Sequence, residues 1–160
     1  MKSRPLALIL ASLCATPALA TPREGAQVVM PEDPRQRAVQ EEWGYADAVV
    51  RGDTVYLSGV VAGLRQGETD RAAAYDRAFR RIHAILQRAG SSWDDVLEIT
   101  TYHVDLADIE AFTAVKRRYV HAPFPAWTAI DVDRLVPDNG LVEIRVIAAR
   151  RNAGAAAPAR

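Results

Sequence analysis

Cysteine is nearly missing from this chain, and the one present, Cys14, lies in a short apolar run close to the start. If that run is removed as a leader, the remaining protein has no disulfide, no thiolate nucleophile and no Cys-based metal site. A lipid anchor on Cys14 is not expected either, because Leu13 stands where a small residue would be needed. Histidine is scarce too: His83, His103 and His121 are the only three, and none falls in a His-x-x-His or His-Glu-x-x-His spacing. A catalytic zinc needs three protein ligands, so no metal site and no cofactor are expected. Nor is there a charge excess, since 20 basic residues face 20 acidic ones. Without Lys2 and Arg4 the balance is 18 against 20, net −2, which offers no bulk field for nucleic acid.

Residues 1–20 carry a leader pattern. Lys2 and Arg4 form a charged start, Leu6 to Ala15 an apolar run, and Ala18-Leu19-Ala20 supplies the small residues read at a cleavage site. The run is too short to span a bilayer, which takes about 20 residues. Cleavage after Ala20, a periplasmic or secreted protein and no stable membrane association afterwards are therefore expected. Pro22, Pro31 and Pro34 then punctuate residues 21–42, which read as an extended arm, with Ala26 to Met30 able to pair at a sheet edge. Residues 152–160, all Asn, Ala, Gly, Pro and Arg without periodicity, read as a disordered tail. Residues 43–151 are left as one globular domain.

Within that domain Ala46 to Val50 and Thr54 to Ser58 are β-prone runs around Arg51-Gly52-Asp53, a hairpin turn whose Gly can take a positive φ. From Asp70 the residues Tyr75, Ala78, Phe79, Ile82, Ile85, Leu86 and Ala89 recur at helical steps, with Arg77, Arg80, Arg81 and Arg88 opposite. Thr69 or Asp70 can cap this helix and Gly90 can end it. A strand over Val96 to Leu106 follows, then a second helix from Asp108, with Ile109, Phe112, Val115 and Tyr119 on one face and Lys116, Arg117 and Arg118 away from it.

The last stretch organises the rest. Pro125 pushes Phe124 out of the helical region, and Thr128, Ile130 and Val132 alternate with Ala129, Asp131 and Asp133 as on a half-buried strand. Pro137-Asp138-Asn139-Gly140 then turns the chain into Leu141 to Ala148. Two strands joined this way are expected to bring Trp127 and the lone acid Glu143 close together, the start of a small-molecule pocket. The whole predicts an α/β (α+β) domain: one mixed sheet with two helices on one face. Its other face would be left in water, so self-association is expected.

These residues also carry a resemblance. Phe124-Pro125-Ala126-x-Thr128, the run to Arg134-Leu135, and Val142-Glu143-Ile144 resemble the C-terminal signature of the RidA, or YjgF, family of reactive intermediate deaminases. Gly44-Tyr45, Gly52-Asp53 and Tyr56-Leu57-Ser58-Gly59 are similar to its N-terminal signature. The resemblance implies a chorismate-mutase-like fold, a homotrimer with small-molecule clefts between subunits, and hydrolysis of enamines or imines. It makes Glu143 and Tyr45 the candidate catalytic residues, with Trp127, Ser58, Gly59, Ala129 and Arg145 the candidate substrate-binding ones. In deaminating members the position of Trp127 holds an arginine that grips the substrate carboxylate. Val60 and Thr113 depart from the common pattern as well, standing where glutamine and asparagine are frequent.

Three activities are compatible with these residues. One is an imine deaminase of altered range, in which Arg145, on the same strand face as Glu143, takes over the anchor. Another is a non-catalytic or differently catalytic binder of a neutral or cationic metabolite, using the Trp127 ring. The third, ribonuclease action, is disfavoured by the net acidic chain.

Overall fold

The computed structural model describes residue 21 and residues 23–151; the expected leader and tail lie outside the described residues. The chain runs β1 (Gln27–Val29), α1 (Pro34–Trp43), β2 (Ala48–Arg51), β3 (Thr54–Leu57), β4 (Val60–Gly63), α2 (Arg71–Arg88), β5 (Val96–His103), α3 (Ile109–Lys116), β6 (Ala126–Asp131) and β7 (Gly140–Ala149). The strands form one sheet in the order β1-β2-β3-β7-β5-β6, with β4 also paired to β7. β5 and β6 run parallel, and the remaining pairs are antiparallel.

Three local features differ from expectation. Residues 34–43 form a helix instead of continuing an extended arm. Asp33 caps it, accepting from the N–H groups of Arg35 and Gln36 at 2.9 Å each, and Pro34 sits at the first helical position, where a missing N–H costs nothing. Gln40 is the sole buried residue of α1, so no apolar period announces it. β4 was not expected at all: Val60 and Ala62 turn inward, but four residues are too few for a period to be read. Finally, β6 and β7 do not pair with each other, because β5 lies between them. A turn sequence predicts a reversal of the chain but not which strand fills the space beside it.

The core lies between one sheet face and the helices. Asp70 caps α2 by accepting from Ala73 N–H at 3.1 Å, and the helix buries Tyr75, Phe79, Ile82 and Leu86 against the sheet. Phe112 of α3 meets Tyr75 edge-on, with ring centroids 5.5 Å apart, and Phe79 at 5.6 Å. On β7 the inward residues Val142, Ile144, Val146 and Ala148 are all fully buried while Glu143 and Arg145 point the other way. Each large apolar side chain so buried contributes about 1.5–3 kcal/mol. The α2 arginines are tied to acids: Arg77 to Glu68 at 2.6 Å, Arg80 to Asp76 at 3.1 Å and Arg88 to Asp47 at 2.5 Å. Two hydrogen bonds, from the Arg77 side chain and the Arg65 backbone, hold the Glu68 carboxyl down to about 2.

The opposite face is open. Val28, Tyr56 and Ile130 are 51%, 45% and 38% exposed, and all six residues of edge strand β6 are exposed. Exposed β6, with no strand on its outer side among the described residues, is a pairing hazard unless something covers it.

Candidate functional site

One group of site residues gathers where β3 hands over to β4. Tyr56 pairs with Ile147 and Val60 with Ile144, so Ser58 and Gly59 bridge a break between two strands that share β7 as neighbour. Ser58 holds this break to the preceding loop: its N–H donates to the Asp47 carbonyl at 3.0 Å and its hydroxyl to the Ala46 carbonyl at 2.7 Å. The same loop carries Tyr45, whose N–H donates to the Gln40 carbonyl at 3.0 Å while its ring stays exposed. Tyr45, Ser58, Gly59, Val61 and Pro137 line a cavity of about 280 Å³.

Glu143 stands directly against this break. A side chain at Gly59 would overlap the Glu143 carboxylate, so the glycine is required by close approach of an acid and not by a turn. Across β7, Glu143 is flanked by Val61 of β4 and Tyr102 of β5. Among the described residues it makes no ion pair. Tyr45, Ser58 and Gly59 thus share the lining of one small cavity, and the Glu143 carboxylate packs against Gly59.

Trp127 is elsewhere. It pairs with Ile99 on β5, whereas Glu143 pairs with Tyr102, three residues further along the same strand. An odd offset on a strand means opposite faces, so Trp127 points to the helix side and Glu143 to the open side. The expected approach of Trp127 to Glu143 therefore does not occur within one protomer. Arg145 shares the Glu143 face as expected, but it lies 3.9 Å from the Glu98 carboxylate and is likewise separated from Trp127. Ala129, two residues along β6, faces the same way as Trp127 and is exposed. Val60 points into the core.

Around Trp127 a second cluster forms. Its indole Nε1–H donates to Thr101 Oγ1 at 3.0 Å, and that hydroxyl also lies 2.9 Å from His103 Nε2. His103 is almost wholly buried, and burial pushes it below its ordinary value; it supports Thr101 from inside the core. On the indole face sits Lys116, its Nζ 3.2 Å from the ring centroid, a cation–π contact. Lys116 was expected on the solvent side of α3 with its arginine neighbours. The signal that finds it is its i,i+4 relation to Phe112, whose ring lies 6.3 Å from that of Trp127.

Comparison with known proteins agrees with the fold. The family described as Endoribonuclease L-PSP matches residues 35–150. The chain belongs to this family, the RidA/YjgF family. Among its RidA/YjgF relatives, a RutC family protein, YjgH, of Escherichia coli is 33% identical over 117 residues, covering 71% of this chain and 88% of that protein. A 2-iminobutanoate/2-iminopropanoate deaminase of Dermatophagoides farinae is 32% identical over 107 residues, covering 64% and 83%. The solved structure of protein YJGH superposes with a TM-score of 0.68 at 30% identity, over 80% of this chain and 98% of that one. RidA from Psychrobacter sp. gives 0.59 at 34% identity, over 66% and 87%.

Proposed function

We propose that this protein hydrolyses reactive imines to a carbonyl compound and ammonia in a cleft formed between two copies of the chain. The reaction adds water across C=N: the water oxygen bonds to carbon, nitrogen takes up protons, and the C–N bond breaks to release ammonia. The observation that carries this reading is Glu143, a carboxylate with no ion pair among the described residues, held against Gly59, which also lines the cavity that takes in Tyr45. Glu143 accepts a proton from the attacking water, and Tyr45 donates toward the departing nitrogen. The relative named as an imine deaminase supports the reaction class.

A cleft between copies follows from the separation of the two clusters. The Glu143 half-site needs a wall that its own protomer does not provide, and the Trp127 cluster lies on an exposed edge strand. A homotrimer, in which the edge of one copy meets the β3–β4 break of the next, joins them and covers the exposed strand. The leader pattern of residues 1–20 supports a periplasmic or secreted setting for this chemistry.

A binder of cationic metabolites at Trp127 is disfavoured, because Lys116 already lies on the ring and repels a second cation. RNA cleavage, suggested by the family's description, finds no basic surface in the paired arginines of α2. The test is ammonia release from imines generated in place, by the native protein and by Glu143→Gln. Turnover that falls about 10²-fold or more in the variant supports the reaction. No ammonia from neutral or carboxylate imines, or equal turnover by both proteins, sinks it.

A further inference from the structure

Of the 20 basic residues in this chain only Lys2 and Lys116 are lysines, and Lys2 belongs to the leader pattern. Everywhere else the chain uses arginine, which keeps its charge at any ordinary pH. Lysine can lose its proton and attack carbon, and arginine in practice cannot. Lys116 is therefore the one side-chain amine of residues 21–160.

Its surroundings suit a nucleophile. Lys116 is half-buried, with Nζ 3.2 Å from the centroid of the Trp127 ring. That ring is held in turn by its N–H bond to Thr101 and by Phe112, 6.3 Å away. Among the described residues no carboxylate lies within ion-pair distance of the ammonium, whereas Arg77, Arg80, Arg81 and Arg88 of α2 each have one. The charge that acts on it is Arg117 of its own helix, while His103, behind Thr101 on β5, is kept neutral by burial. Burial first and Arg117 second bring Lys116 down to about 8. The indole face favours the ammonium and offsets part of that lowering, but it also holds the nitrogen beside the exposed strand β6, within reach of a small molecule.

We infer that Lys116 is a nucleophilic amine that condenses reversibly with small aldehydes, whose apolar part lies on the Trp127 ring. In that step Nζ bonds to the carbonyl carbon, both amine hydrogens leave with the carbonyl oxygen as water, and a C=N bond to the protein remains. Water adding back across that bond reverses the step, so no oxidant or reductant is consumed. Trp127 and Thr101 position the amine and are not reactants. The assignment does not rest on the imine-hydrolase reading, because condensation is measured without turnover.

The test traps the adduct. The full chain is treated at pH 7 with benzaldehyde and cyanoborohydride, which reduces the C=N bond to a stable secondary amine, and the modified residue is located by peptide mass mapping. Lys116 should label saturably with aldehyde concentration and about ten-fold or more faster than free Nα-acetyl-lysine, because a larger fraction of its amine is neutral at that pH. Urea-unfolded protein should lose that advantage, and Trp127→Leu should lose the saturation while keeping the amine. Lys116→Arg, which keeps a charge over the ring, should leave no side chain of residues 21–160 labelled. Labelling of native Lys116 no faster than the free amine, equal rates in folded and unfolded protein, or a rate strictly proportional to aldehyde concentration overturns the assignment. Ammonia release is followed separately. Rapid labelling in a protein that hydrolyses no imine leaves the nucleophilic amine standing and removes the hydrolase; imine turnover without selective labelling does the reverse.

Discussion

Trp127 and Glu143 project from opposite faces of one sheet, with β5 between their strands. On the proposed reading each protomer contributes one part of a cleft to a second copy, and oligomerisation would then be a condition of activity.

Mixing inactive variants tests that condition. Glu143→Gln and Trp127→Ala proteins, each impaired alone, should regain activity when co-expressed, since random assembly gives about a quarter of the clefts both intact halves. Sedimentation of the native protein should show a trimer. A monomer with full activity would contradict the two-copy cleft.

Gly59→Ala should be costly in two ways. The added methyl must displace the Glu143 carboxylate, and such overpacking costs about 1–3 kcal/mol, read in urea unfolding. Turnover should fall by more than the loss of folded protein explains, because the carboxylate itself has moved. Unchanged turnover in a folded variant would remove Glu143 from the reaction.

Asp47 gathers Arg88 at 2.5 Å, Arg81 at 3.4 Å and the Gln40 amide at 2.8 Å onto a 5% exposed carboxylate. It joins the loop before β2 to α1 and α2. Asp47→Ala leaves Arg88 partly buried and unpaired, and a loss of about 2–4 kcal/mol is expected in denaturant unfolding, somewhat below the cost for a fully buried pair. A loss under about 0.5 kcal/mol would mean the network adds nothing beyond a surface pair.

His103 links stability to pH. Burial lowers it from 6.5, so the folded state holds it neutral while the unfolded chain takes up a proton below that value. Its contribution is fully present above pH 6.5 and is lost as pH falls below it toward the folded-state value. The stability of the native protein should therefore decline more steeply from pH 6.5 to 5 than that of His103→Gln. Parallel declines would show that His103 titrates alike folded and unfolded.

The family, the hairpin at Arg51 to Thr54, and the amphipathic helices α2 and α3 were legible in the sequence, because each rests on local chemistry: a glycine turn, a capping aspartate on α2, a 3.6-residue period. α1 escaped because a helix that buries only Gln40 leaves no apolar stripe. The opposition of Trp127 and Glu143 escaped for another reason, since it depends on which strand lies between β6 and β7, a fact of long-range pairing. Lys116 was hidden among arginines that face solvent; its contact with Trp127 joins residues of two elements that only the tertiary fold brings together.

The measurement that tests the account most directly is ammonia release by the native protein from imines generated in place by an amino-acid oxidase, with Glu143→Gln alongside. The account predicts release that requires Glu143. Ammonia formed equally with and without the Glu143 carboxylate, or none formed by a correctly assembled protein, would contradict it.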